Sequence, residues 1–312
     1  MEKYVILSDI TCDLSSEARD FCSMEDYLYG HIHVSGEKGE QDVVSTLDWS
    51  EWDRADFYRM LGDKHYTVST SPPNVEECAE RFERYIKEGY GVISISLSAK
   101  TSGTYDFTCV AAKRVLEKYP EARLVCVDSM RMASGYGLLV LYAHLLRKEG
   151  KSFDEVIAWL EANKRRVHQM GPIDDLITVA KRGRLTMGKA IMGSFAGVKP
   201  MGDCNSDGYV TVLTKAKGIR RALELTVRYI KETAVDPTEN YCIVGDTDRE
   251  QYAETLCEML EREVGFKKVF VCHCSSSNAV NIGQGMIGAY YFGEEITDLE
   301  REREIMSRLN GK

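Results

Sequence analysis

Two short hydroxyl-rich segments hold the residues of this chain best suited to grip an anion. One is Ser69-Thr70-Ser71-Pro72-Pro73-Asn74; the other runs from Ser96 to Tyr105 and contains Thr101-Ser102-Gly103-Thr104. Each follows a β-rich apolar run and precedes a helical pattern. Hydroxyls beside the free amides of a helix start, with the helix dipole behind them, favour negative charge. Gly103 would let a ligand approach the backbone closely. The plainer reading of Ser69–Asn74 is a helix cap, with prolines fixing the turn and Asn74 or a hydroxyl satisfying orphan amides. Open α/β sheets, however, bind ligands at the carboxyl ends of their parallel strands, so two such turns on neighbouring strands would form one anion site. A sharper alternative makes Ser102 the nucleophile of an acyl or phosphate ester hydrolase. Only six histidines occur, and none stands in a recognisable nucleophile–base pattern.

Two further patterns could carry chemistry. Gly283, Gly285 and Gly288 have the G-x-G-x-x-G spacing of a dinucleotide fingerprint, but the run after them, Ala289-Tyr290-Tyr291-Phe292-Gly293, reads as a strand and not as a helix. A glycine turn admitting close backbone approach is the better reading. Cys272 and Cys274 flank His273 on a strand pattern; alternate strand residues share a face, so buried structural thiols are expected before a metal site.

The elements that must position these groups follow from periodicity. A chain of 312 residues exceeds the usual size of one hydrophobic core, and the division expected is 1–165 and 166–312. In the first half the runs YVILS, HIHVS, HYTVS, GVISISL and RLVCVDS alternate with helical patterns, which predicts βαβ units around a largely parallel sheet flanked by helices. The spacing of Val75, Cys78, Ala79, Phe82 and Ile86 predicts an amphipathic helix that stops at Gly89. Helices are also expected over Thr104–Lys118, Ala133–Lys148, Ser152–Lys164, Gly218–Lys231 and Glu250–Glu263. The second half mixes strands with hairpin-like turns and reads as α+β with a mixed sheet. A net charge of −9, from 40 basic and 49 acidic side chains, disfavours nucleic acid and anionic membranes as partners. No apolar stretch approaches the roughly 20 residues that span a bilayer. The start of the chain reads as a strand and not as a signal peptide, so the ten cysteines are expected as reduced thiols in a cytoplasmic protein.

Taken in order, several motifs resemble the DegV family, a fatty-acid-binding family of Gram-positive bacteria. LSDITCDLS is similar to that family's T-D-S-x-x-D-L opening, with Ile10 where a hydroxyl is usual. Thr70-Ser71-Pro72-Pro73-Asn74 resembles T-S-Q-P-S, and Thr101-Ser102-Gly103-Thr104-Tyr105 resembles L-S-G-T-Y. VDSMRMASGYG resembles the V-D-S segment. KRGRLTMGKAIMGSFAGVKPM resembles K-x-G-R-I-S … G-x-x-L-x-I-K-P, and Asp207-Gly208 with Lys215-Ala216-Lys217-Gly218 resembles D-G … K-x-R-G. The resemblance spans nearly the whole chain.

It implies a two-domain α/β DegV-like fold, also called the EDD fold. It also implies a long-chain fatty acid such as palmitate as ligand, without cofactor or metal, its carboxylate on Thr70 and Ser102 and its tail in an apolar tunnel. Ser71, Gly103, Gly283 and Gly285 would lie near the head group. Asn281 stands where many relatives carry a histidine near the carboxylate, and an amide can donate a hydrogen bond but cannot carry a proton charge. The apolar run Ile191–Val198 would be tunnel lining or plain core. By the same resemblance the chain would be a carrier without catalytic groups, presenting the acid to a separate fatty acid kinase for phosphorylation. Arg184 matches an arginine associated with docking that kinase, and Lys217 stands where a second arginine is usual; the plainer reading of both is a solvated basic turn. A lipid-sensing regulatory protein is a third reading.

Overall fold

In the computed structural model, which describes residues 3–36, 39–174, 176–185 and 197–311, the first apolar run forms β1 (Tyr4–Asp9), buried along its whole length. It pairs in parallel with β2 (Tyr27–Leu28) and with β6 (Gly91–Ser96), and β6 pairs in parallel with β7 (Leu124–Asp128), giving the order β2-β1-β6-β7. Strands buried on both faces call for near-continuous apolar runs, which Tyr4–Leu7 supplies before Ser8 and Asp9. Val5 and Leu7 face α3 (Val75–Lys87) and α4 (Thr104–Lys118), where Phe82 and Val115 pack. Tyr4 and Ile6 face α5 (Ala133–Lys148) and α6 (Phe153–Asn163). Asn74 caps α3 in a reciprocal pair with Glu77, which supplies the helix start that the Ser69–Asn74 turn calls for.

The runs HIHVS and HYTVS do not join that sheet. They form β3 (Gly30–Gly36) and β5 (Thr67–Ser71), which with β4 (Gly39–Ser45) make a separate antiparallel sheet of order β4-β3-β5. The reason is in the pattern: Ile32 and Val34 alternate with His31 and His33, which suits a strand with one wet face. The dry face packs on α2 (Arg54–Gly62) through Phe57 and on α10 (Ser276–Ile282) through Ala279 and Val280. Thr70 and Ser102 therefore leave different sheets, not neighbouring parallel strands.

The second half has a mixed sheet in the order β12 (Lys268–His273), β11 (Tyr241–Asp246), β13 (Ile287–Phe292), β8 (Val167–Met170). Only the β11–β12 pair is parallel. Helices α8 (Ile219–Thr233), α9 (Glu250–Glu263) and α11 (Glu300–Asn310) bury Tyr229, Leu256 and Met306 against one face. On the other face, Ile243, Phe270 and Tyr290 meet α5 and belong to the apolar cluster that also contains Ile6 and Ile93 of the first sheet. The helix α5 thus lies between the two sheets. It approaches the turn after β1 so closely that a methyl at Gly137 would run into the Cys12 carbonyl oxygen. A hairpin of β9 (Val198–Cys204) and β10 (Val210–Lys217), with short helices α1 (Ser16–Cys22) and α7 (Leu176–Lys181), completes the described residues. Among them no helix is long and apolar enough to cross a membrane.

Candidate functional site

Where the carboxyl ends of β1 and β6 meet the end of β5 and the helix α10, the chain encloses a cavity of about 1190 Å³, its mouth included. Leu97, Met132, Met170, Ile173, Val210 and Met286 supply much of its apolar lining, and its polar lining includes Asp9, Thr70, Ser102, Thr104, Ser277 and Asn281.

Each polar group is held by the fold around it. Thr70 lies opposite Ile32 in the ladder, and its Oγ1 accepts a 3.0 Å hydrogen bond from Asn281 Nδ2, which also donates to the Ser277 carbonyl at 2.9 Å. With its oxygen occupied as acceptor, the Thr70 hydroxyl is left to donate its own hydrogen. The helix bearing Asn281 is fixed from the opposite end of the chain. Asp13 accepts the Ser275 amide at 2.7 Å and both its oxygens accept Asn278 Nδ2, at 2.9 and 2.8 Å. Burial of Asp13 pushes its carboxyl up to about 7 despite those bonds. Ser102 Oγ lies 2.8 Å from Thr104 Oγ1 and accepts the Thr104 amide at 3.3 Å, so the hydroxyl sits over the start of α4. The loop before it closes through Ser102 N to Ser98 O at 3.2 Å and Ser98 N to Arg131 O at 2.8 Å.

Of the residues singled out from the sequence, Thr70, Ser71, Ser102, Gly103, Asn281 and Arg184 line this one cavity. Gly283 and Gly285 do not; with positive φ they turn the chain from α10 into β13, and a side chain at Gly285 would run into Asp174. Gly288 lies within β13, so no strand-to-helix phosphate loop forms there. Gly103 has an ordinary φ of −75° and stands at the N-cap of α4. Arg184 is half-buried and donates to the Arg182 carbonyl, while Lys217 is exposed at the end of β10. The Ile191–Val198 run lies outside the described residues except for Gly197 and Val198.

Three cavity residues were not legible as such in the sequence. Asp9 ends β1, and burial pushes its carboxyl up to about 6. Ser277 and Asn278 come from α10. The structure also forms a Ser–His–Asp row that spacing conceals: His33 Nε2 lies 2.8 Å from Ser71 Oγ and His33 Nδ1 lies 2.5 Å from Asp42 Oδ1. His33 is opposite Asp42 and Ser69 in the ladders, so the row occupies the wet face of the sheet, and the Asp42 side chain is 79% exposed. A triad carboxylate works from burial, which this one lacks. Among the described residues Ser102 Oγ bonds to Thr104 and not to a base.

A family model described as "uncharacterised protein, DegV family" matches residues 3–294. A DegV domain-containing protein of Clostridium perfringens is 29% identical over 94% of this chain and 99% of its own length. Among solved structures, a DegV family protein from Thermus thermophilus described for its fatty acid binding has a TM-score of 0.80 at 22% identity, covering 93% of this chain and 99% of that one. A DegV lipid-binding protein from Thermotoga maritima gives 0.79 at 20% identity, over 95% of this chain and 100% of that one. At such identities the likeness establishes the fold.

Proposed function

The chain belongs to the DegV family, and from that premise we propose that it binds one long-chain fatty acid, carboxylate at Thr70 and Ser102, tail along the apolar wall, and serves as a carrier. The observation that supports this most is that Thr70, Ser102 and Asn281, from three separate elements, line one otherwise largely apolar cavity. Structural neighbours are described as fatty-acid-binding, one of them loaded with heptadecanoic acid. The energetics fit: about 14 methylenes at roughly 0.8 kcal/mol each offer about 11 kcal/mol before ordering costs. A carboxylate leaves water only if hydrogen bonds replace it, and the Ser102 and Thr70 hydroxyls with the amides of α4 supply them.

The finer part of the proposal is that the carrier presents its acid to a separate fatty acid kinase, which forms the acyl phosphate. Lys217, exposed on the hairpin, suits a docking contact. Arg184 belongs to the cavity wall, so a partner that reaches it reaches the lipid's own chamber. Native mass spectrometry of freshly purified protein tests the core reading: a co-purifying mass of a fatty acid is expected, and its absence together with failure to load added palmitate would overturn it. In the same preparation a fluorophosphonate should leave Ser102 and Ser71 unlabelled; stoichiometric labelling of either would make the protein a hydrolase.

A further inference from the structure

We propose that Asp9 shares a proton with the carboxyl group of the bound acid, so that each fatty acid enters the cavity together with one proton. The inference rests on the fatty-acid reading of the cavity and adds to it the protonation state of the complex.

Asp9 stands at the end of the central strand β1, 2% exposed, in the wall of the cavity. Its two oxygens are not equivalent. Oδ1 accepts the Thr11 amide at 2.8 Å and the Thr11 hydroxyl as well. Oδ2, in a side chain that lines the cavity, is almost wholly covered and has no hydrogen-bond partner among the described residues, although the Leu97 amide and the Tyr136 hydroxyl lie near the carboxyl; Ser277 Oγ in the same wall is likewise without a partner. A buried carboxyl oxygen with an empty acceptor site is costly and calls for a donor. The ligand is where that donor comes from. The loop bearing Ser102 and Thr104 leaves β6, the strand paired to β1, and the Leu97 amide at its start faces the Asp9 carboxyl. The carboxylate-binding turn therefore begins beside Asp9.

The groups packed around Asp9 do not neutralise it. They are Tyr136 from α5, whose oxygen accepts the Asp9 amide at 2.9 Å, Cys12 and Asp13 from the turn after β1, and Cys78 from α3. Among the described residues lining the cavity the cation is Arg184, whose charged neighbour is Arg182. A fatty carboxylate brought to this wall adds a second negative charge in poorly solvated surroundings, and two carboxyls in contact there do not both stay ionised. One proton held between them satisfies Oδ2 and removes the repulsion. Burial already raises the Asp9 carboxyl to about 6 in the empty protein, so it is ionised near pH 7.5 but needs little further shift to take up a proton.

Isothermal titration calorimetry with dodecanoate, kept below its aggregation concentration, tests this when repeated in buffers of different ionisation enthalpy. The protein should take up about one proton per ligand near pH 7.5, and Kd should rise about tenfold from pH 7 to pH 8. Asp9→Asn should bind without proton uptake and with a Kd that does not change over that interval. Tight binding by the unaltered protein with no proton uptake would overturn the proposal, and so would an uptake that survives Asp9→Asn. Because the first of these needs no variant, a misfolded Asp9→Asn protein leaves the test standing. Absence of any binding, to palmitate as well, would instead sink the fatty-acid reading itself.

Discussion

The pairing of Asn281 with Thr70 has a consequence that a mutant cycle measures. Asn281 Nδ2 occupies a lone pair of Thr70 Oγ1 at 3.0 Å, which leaves the threonine hydrogen free to be donated to the carboxylate of the proposed ligand. Thr70→Val removes that donor. A hydrogen bond to a charged group contributes about 1.5–3 kcal/mol, so Kd for a fatty acid should rise roughly 10- to 150-fold. Asn281→Ala leaves the hydroxyl in place but free to rotate. It costs the net worth of a neutral bond, about 1 kcal/mol or about fivefold in Kd. The Ser277 carbonyl, the other acceptor of Asn281, keeps its place in α10. If Asn281 acts only by aiming Thr70, the double variant should bind no worse than Thr70→Val alone, a coupling of about 1 kcal/mol. Displacement of a fluorescent fatty acid in the four proteins gives all the terms. Strict additivity would show that Asn281 meets the ligand by itself, and an unchanged Kd in Thr70→Val would remove the threonine from the site.

Two predictions concern the frame that carries the site. Gly137→Ala would press a methyl against the Cys12 carbonyl at the contact of α5 with the turn after β1; a loss of about 1–3 kcal/mol in urea unfolding is expected, and a change under 0.5 kcal/mol would mean the contact is slack. His144 is buried in α5, and desolvation holds its imidazole down to about 3. A histidine with a depressed value in the folded state adds stability above its unfolded value of about 6.5 and loses it below, by about 2 kcal/mol at pH 5. Asp9 and Asp13, raised to about 6 and about 7, act in the opposite sense, since their contribution is present at low pH and lost as pH rises through those values. The measurement is therefore the difference between the unaltered protein and His144→Leu. The variant should be spared that loss between pH 6.5 and 5, and parallel stability curves would refute the assignment.

How far the sequence reaches depends on the range of the interaction that fixes each feature. The helices Thr104–Lys118, Ala133–Lys148 and Glu250–Glu263 were legible to the residue, and Asn74 was legible as a cap, because capping and 3.6-residue periodicity act within a turn or two. The strand at Ala289–Phe292 was legible for the same reason. The separate sheet of β3, β4 and β5 was not: each run looks like a strand, but which strands pair is decided by Phe57, Ala279 and Val280, far away in the chain. In the site, hydroxyls before a helix stand out by type, which brought Thr70 and Ser102 into view. Asp9 and Asp13 fell within the LSDITCDLS motif but received no role from it, since an acid after a strand looks like an ordinary cap. Asp13 acquires its meaning from Asn278, 265 residues later. Arg184 read as a docking residue by resemblance or, more plainly, as a solvated basic turn, and only the closure of the cavity places it in a wall.

The helix α5 has almost no side suited to water: from Ala133 to Leu141 every residue is buried. Either half of the molecule would bare a greasy rod by swinging away from it, so a clamshell opening would be costly in this fold. If the proposed fatty acid binds as described, its way in and out would be sought at the loops where the strands end, with the helical axle staying dry.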